Sequence, residues 1–224
     1  MLSIENTETY GWEAAIRGMR NPKNSWDKAD TVYPETGAPL IGANDMKLMT
    51  TLAGAGSVHG KFMRMITVTM DVTAPLYWWK EFDTYKVGTV ADSCSTMHKI
   101  QAKKFSLEDF SCEHLFDGCI QREGRENEEY ENPITCLEYV IGVLNFYREK
   151  FNQTKEKCYW WQMIQLLPSS YNQKRTIQLN YEVLRGIYIY RKNHKLDEWH
   201  TFCHWIESLP YSELITGGTT NGEA

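Results

Sequence analysis

The chain has 224 residues, 42% of them hydrophobic, and a formal net charge of −5. That length suits one domain, or a domain with an insertion, with enough apolar residues for a core. The acidic balance argues against broad nucleic-acid binding but leaves room for a local basic pocket that takes a nucleotide phosphate.

In chain order, residues 10–20 have helical character, with Trp12, Ala15, Ile16 and Met19 on one face. Residues 21–44 carry Asn21-Pro22, Pro34, Gly37 and Gly42 and read as a long loop or arm. Residues 45–55 suggest a short helix ended near Gly54 and Gly56. Residues 65–73 alternate: Ile66, Val68, Met70 and Val72 point one way, Thr67, Thr69, Asp71 and Thr73 the other. This is the pattern of a half-buried, antiparallel strand. Thr73-Ala74-Pro75 then opens a helix that stops near Gly88. Residues 99–132 are polar and irregular, including the charged run REGRENEEYENP. Two amphipathic helices follow, over 134–151 through Leu137, Val140, Ile141, Leu144 and Tyr147, and over 157–167 before Pro168. Residues 176–191 read as one more helix, with Asn180, Leu184, Ile187 and Arg191 sharing a face that His194 and Glu198 extend if the helix continues. The expected organisation is a single domain over 1–211, with 99–132 as an irregular insertion and 212–224 as a flexible tail.

Eight Trp and 13 Tyr supply large surfaces for cores, oligomer interfaces and the stacking of flat ligands. The six cysteines form no CxxC pair. The N-terminus has no basic start followed by an apolar run, and no stretch approaches the ~20 apolar residues of a membrane span. The expectation is a reduced, cytoplasmic protein with free thiols and no membrane partner. Cys112, His114 and Cys119, with His98 near in sequence, lack the two tight ligand pairs of a structural zinc site. His200, Cys203 and His204 lie between Trp199 and Trp205 and read as packing. Neither cluster is taken as a metal site. Cys94 with His98 four residues on reads as an ordinary loop thiol, because a nucleophilic pair needs a third group to orient the base.

Two blocks of the chain resemble the flavin-dependent thymidylate synthases (ThyX). The first runs without gaps from His59 to about Lys99; His59 falls on the His of the family's Gly-His-x-Thr/Ser turn, and the strand and the Ala74-Pro75 helix start match. The second runs from Leu167 to Glu198: Leu167-Pro168, Asn180, Leu184, Arg191, His194 and Glu198 fall on family positions. The N-terminal GWEAAIRGMRNP is similar to the family's first helix. Together these cover roughly half the chain. The family signature is Arg-His-Arg, Ser three residues on, then Asn-Glu-x-Ser-x-Arg-Tyr. Here the register reads Thr84-Tyr85-Lys86, Thr89, then Ala91-Asp92-Ser93-Cys94-Ser95-Thr96-Met97. Lys86 keeps a charge, Thr89 a hydroxyl and Asp92 a carboxylate. Thr84, Tyr85, Cys94 and Thr96 depart from the pattern, and a one-residue shift offers Ser95 in place of the phosphate-binding Ser. An Arg fork grips phosphate bidentately, which Thr cannot do.

The resemblance implies an α/β (α+β) fold, with an antiparallel sheet packed with long helices, assembled as a homo-oligomer, a tetramer in the family. It implies cofactor contacts at His59, Lys86, Thr89, Asp92 and Asn180, and nucleotide contacts at Arg191, Ser95, Cys94 and His194. If active, the chain would methylate dUMP to dTMP with FAD, methylenetetrahydrofolate and NADPH. In that family the flavin carries the chemistry while the protein positions and polarises. Two alternatives stand beside the enzyme: a non-catalytic protein that binds or sequesters a nucleotide, and a protein-interaction module whose cleft is filled by side chains such as Tyr85 and Met97.

Overall fold

The computed structural model describes residues 2–118 and 132–217. Its elements in chain order are β1 (Ser3–Tyr10), α1 (Trp12–Arg20), α2 (Ala43–Gly54), β2 (Thr67–Pro75), α3 (Leu76–Phe82), β3 (Val90–Ser93), α4 (Pro133–Thr154), α5 (Lys157–Leu166), β4 (Asn172–Asn180), α6 (Tyr181–Arg191), α7 (Asp197–Glu207) and α8 (Glu213–Thr216). The strands form one antiparallel sheet in the order β1-β2-β4-β3. The expected mixed architecture of helices and antiparallel sheet is what the chain adopts.

The alternation in β2 is observed: Val68, Met70 and Val72 are at most 1% exposed, while Thr67, Thr69, Asp71 and Thr73 are half-buried. On the polar face the Asp71 carboxylate accepts from Asn6 of β1 at 3.0 Å and from Thr176 of β4 at 2.7 Å. These bonds fix the register of three strands.

The chain forms two compact units. One takes Leu2–Val72, Phe82–Asp92 and the chain from Thr176. In it α1 buries Trp12, Ala15, Ile16 and Met19, the face read from its spacing. Gly11 makes the turn from β1 into α1 at φ +84, and a Cβ there would sit 2.0 Å from the Met65 carbonyl oxygen, so only glycine fits. A buried ion pair closes the 21–44 arm. Arg20 Nε donates to Asp45 at 2.7 Å, with the side chains 3% and 0% exposed. Asp45 also accepts from the Asp30 and Thr31 amides and the Thr31 hydroxyl, while Arg20 reaches the Ser25 and Lys28 carbonyls. The Asp30 carboxylate accepts the Asn44 and Asp45 amides at the start of α2, a cap that satisfies otherwise orphan donors.

The other unit takes Thr73–Glu81 and the described part of Ser93–Arg175. Its core joins Leu137, Ile141 and Leu144 of α4 and Met163 of α5 to Ile100, Phe105 and Phe110. The Asn145 side chain makes two 2.9 Å bonds to the Phe105 backbone. The stretch from 99 read as an irregular insertion therefore supplies core residues through Phe110; residues 119–131, with Cys119 and most of the charged run, lie outside the described residues.

The structure corrects five local readings. Pro75 ends β2 and α3 begins at Leu76, because the Leu76 and Tyr77 amides pair with the Tyr171 and Ser169 carbonyls. That helix stops at Phe82, and Gly88 lies in the following turn at φ +76. Residues 172–180 form a strand, so Asn180 does not share a helical face with Leu184 and Arg191. It caps α6 instead, its side-chain oxygen accepting from the Val183 amide at 3.0 Å. The helix ends at Arg191, and His194 lies in the turn before α7. The tail begins with a helical turn, α8, that buries Leu214 and Ile215.

Candidate ligand-binding site

The site residues expected from sequence fall into distinct local settings. Arg191 ends α6 and meets aromatic side chains from two other segments. Its Nε donates to the Tyr85 hydroxyl at 2.9 Å. Its guanidinium carbon lies 4.7 Å from the ring centroid of Trp199, which is fully buried on α7, and 5.6 Å from that of Tyr85. A guanidinium over aromatic faces is attracted by the ring quadrupoles and fixed in direction by its hydrogen bond. His194 stands edge-on to Trp199 at 6.2 Å, and its Nδ1 accepts from the Leu196 amide. Tyr85, where the resembling family has its motif His, is thus one of the residues that hold Arg191.

The substituted loop divides between the two units. Lys86 is exposed, and Thr89 is half-buried with its hydroxyl oxygen enclosed and without a hydrogen-bond partner. Asp92 is exposed on β3. Gly88 packs against the end of β4, where an added Cβ would meet the Asn180 amide nitrogen at 3.0 Å. Cys94 and Ser95 belong to the other unit. The Cys94 amide donates to the Lys174 carbonyl, and its own carbonyl accepts from Gln173. Ser95 Oγ lies 2.9 Å from His98 Nδ1 and accepts the His98 amide. His98 is therefore engaged by Ser95 rather than by Cys94.

His59 opens onto a cavity of its unit. A groove of about 600 Å³ runs between α1, α2 and the single-turn helix Gly60–Arg64. Its walls are apolar, from Leu52, Phe62 and Met65, and Lys23, Lys61 and His59 stand at its edge. Their side chains make no hydrogen bond or ion pair to any described residue, whereas Arg64, also on the groove, is tied to Glu182. Apolar walls with a few convergent polar groups are the composition of small-molecule sites, and this volume lies within their range. Sequence reasoning picked out His59 and missed the rest. The available signal was a clustering of apolar residues with little strand or helix pattern at 58–65, where Val58 and Met65 are 76% and 50% exposed. Among the described residues, no three His, Cys, Asp or Glu side chains converge to hold a metal ion, and no helix is long and apolar enough to cross a membrane.

Comparison with known proteins separates fold from family. No family model matches the chain, and no curated protein matches it by sequence. Solved structures do match. Thymidylate synthase X from Helicobacter pylori, crystallised with FAD and dUMP, superposes with a TM-score of 0.61 over 96% of each chain at 13% identity. A UMP/dUMP methylase, PolB from Streptomyces cacaoi, bound with 5-Br dUMP, superposes with a TM-score of 0.59 over 97% of this chain and 95% of its own, again at 13% identity. The chain has the fold of the flavin-dependent thymidylate synthases.

Proposed function

We propose that the chain is a nucleotide-binding protein on this fold, with the groove beside His59 taking a flat ring and nearby cations taking phosphate. The groove carries the reading: apolar walls suit a flavin or pyrimidine ring, and Lys23 and Lys61, whose side chains have no partner among the described residues, suit an anion. The solved neighbours, one holding FAD and dUMP and another a dUMP analogue, support it. Arg191, with His194 beside it, is proposed as the nucleotide phosphate contact, pre-oriented by Tyr85. Cys94 and Ser95 remain proposed contacts on the other unit. His59, Lys86, Thr89, Asp92 and Asn180 are proposed cofactor contacts, and the enclosed Thr89 hydroxyl without a partner is the one among them that asks for a ligand. The described residues suit a nucleotide better than FAD, because Asn180 already caps α6 and Lys86 is a lone point charge where the family has two Arg side chains. Methylation of dUMP with FAD, methylenetetrahydrofolate and NADPH is the enzymatic form of this reading.

Homo-oligomerisation and a cytoplasmic setting belong to the same proposal. Trp26 at 50% and Tyr190 at 79% exposure offer interface surface, and Cys94, Cys112, Cys158 and Cys203 are free thiols, as suits a reducing compartment. A second reading, the protein-interaction module, is favoured by the Tyr85–Arg191 bond, which fills space beside the expected phosphate contact.

The test is a titration of the pure protein with FAD, read by visible absorbance and flavin fluorescence, with and without dUMP, beside calorimetry with dUMP alone. Saturable dUMP binding supports the nucleotide reading, and FAD binding strengthened by dUMP extends it to the enzyme. Neither ligand binding at millimolar concentration overturns it in favour of the interaction module.

A further inference from the structure

A second cavity, of about 300 Å³, shares Lys23 and Leu48 with the groove and is lined also by Lys28 and Lys47. We propose that it is a polyphosphate annex: the groove's ligand carries two or more linked phosphates that run past Lys23 to Lys28 and Lys47. This rests on the nucleotide reading and names the class of ligand within it.

The charge balance supports the assignment. Lys23, Lys28 and Lys47 make no ion pair or side-chain hydrogen bond to any described residue, and no carboxylate lines the cavity. Arg20 lines it too, but is matched by Asp45 at 2.6 Å. Nearby carboxylates are engaged: Asp45 by Arg20 and Thr31, Asp30 by the amides that open α2. Asp27, next to Lys28 in sequence, makes no ion pair with it. Three lysines without a described counter-charge therefore line one concavity in a chain whose net charge is −5. A cleft lined by one sign of charge focuses the field and raises the local concentration of counter-ions. Ser25, Asn44 and Thr51 add neutral hydrogen-bonding side chains to the lining.

The backbone that carries these lysines is held in place. Lys28 sits on the arm, and its carbonyl is bound by Arg20 at 2.9 Å. Lys47 projects from α2, whose first turn is capped by Asp30 of the same arm. Lys23 follows α1 in the single turn Asn21–Lys23. The arm, α1 and α2 thus bring together cations 5 and 19 residues apart in sequence, beside a groove that offers a ring its apolar walls. Three ammonium charges exceed the charge of one phosphate group, about −2 at neutral pH, and suit a linked diphosphate or triphosphate.

The test uses calorimetry on the full chain with inorganic triphosphate, dUMP, dUTP, riboflavin and FAD. The double variant Lys28→Glu/Lys47→Glu is compared with Lys104→Glu/Lys155→Glu, which changes net charge equally at exposed sites elsewhere. Wild-type protein is expected to bind triphosphate, with the affinity falling at least about a hundredfold in the first variant and staying within about twofold in the second. If the charge-reversed protein fails to fold, Lys28→Gln/Lys47→Gln serves, with a loss of about tenfold. Absence of triphosphate binding at low salt, or equal loss in both variants, overturns the annex. A preference for dUTP over dUMP that vanishes in Lys28→Glu/Lys47→Glu identifies a nucleoside polyphosphate; a preference for FAD over riboflavin that vanishes there identifies a dinucleotide. If dUMP or FAD binds equally to wild type and Lys28→Glu/Lys47→Glu and triphosphate does not bind, the annex falls while the nucleotide reading stands. If triphosphate binding depends on these lysines but neither dUMP nor FAD binds, the annex stands and the ring site falls.

Discussion

Two regions of the same unit treat positive charge in opposite ways. At the end of α6, Arg191 is held by the Tyr85 hydroxyl and laid against Trp199, so its direction is set before any ligand arrives. Beside α1 and α2, Lys23, Lys28, Lys47 and Lys61 stand around two adjoining cavities with no ion-pair partner among the described residues. A clamped guanidinium contributes geometry, since its planar fork loses little freedom on binding. Unpaired ammonium groups contribute field and adaptability.

The largest effect is expected from Asp45→Ala. It leaves Arg20 buried without its partner and should destabilise the protein by about 3–5 kcal/mol, read as a drop in the urea midpoint. The basic cavities should lose shape while Tyr85 keeps its hold on Arg191. Next, Arg191→Ala should abolish nucleotide binding and leave the oligomer intact, measured by calorimetry and light scattering; retained binding would mean the clamped region has no part in recognition. Leu52→Trp fills the groove instead and should weaken ring binding about tenfold or more, at a stability cost of at most about 3 kcal/mol. Tyr85→Phe removes one half-buried hydrogen bond, worth about 1 kcal/mol. If the Tyr85 hydroxyl pre-orients Arg191, nucleotide affinity falls about fivefold; a rise would show that the hydroxyl competes with the ligand.

The smallest effect is one of pH. Hydrogen bonds from the Asn44 and Asp45 amides hold the Asp30 carboxyl below the usual carboxylate range, against some desolvation. A group with its folded value depressed adds stability that is complete above its unfolded value and lost as pH falls through the folded one. The urea midpoint should therefore decline from about pH 4 downward, and the decline should be shallower in Asp30→Asn.

Legibility from sequence followed the strength of local periodicity. α1 and β2 pack one clear face each, and both were read with the right residues inward. The second half of β4, from Thr176, reads as helix because the apolar pattern of Ile177 and Leu179 runs on into α6; Asn180 marks the boundary as a cap, a role its side chain performs only once the strand before it is extended. β1 left little trace, since most of SIENTETY is exposed and only Ile4 and Thr9 are half-buried. His59 and Arg191 are picked out in the sequence by their register within the resembling blocks. The groove is not, because α1, α2 and the Gly60–Arg64 turn each carry only part of its wall. Tyr85 lies 106 residues from the arginine it binds, a pairing that only the folded chain makes.

The knot of bonds around Asp30 and Asp45 has a kinetic consequence. The amides of Asp30 and Thr31 end on one carboxylate, and those of Asn44 and Asp45 on the other. Neither set can open alone without leaving a carboxylate short of donors. These four amide hydrogens should exchange with solvent at a common rate, as one cooperative unit. The floor of the basic cavity would then exist or vanish as a whole, and a polyanion that slows all four together would report that it has been occupied.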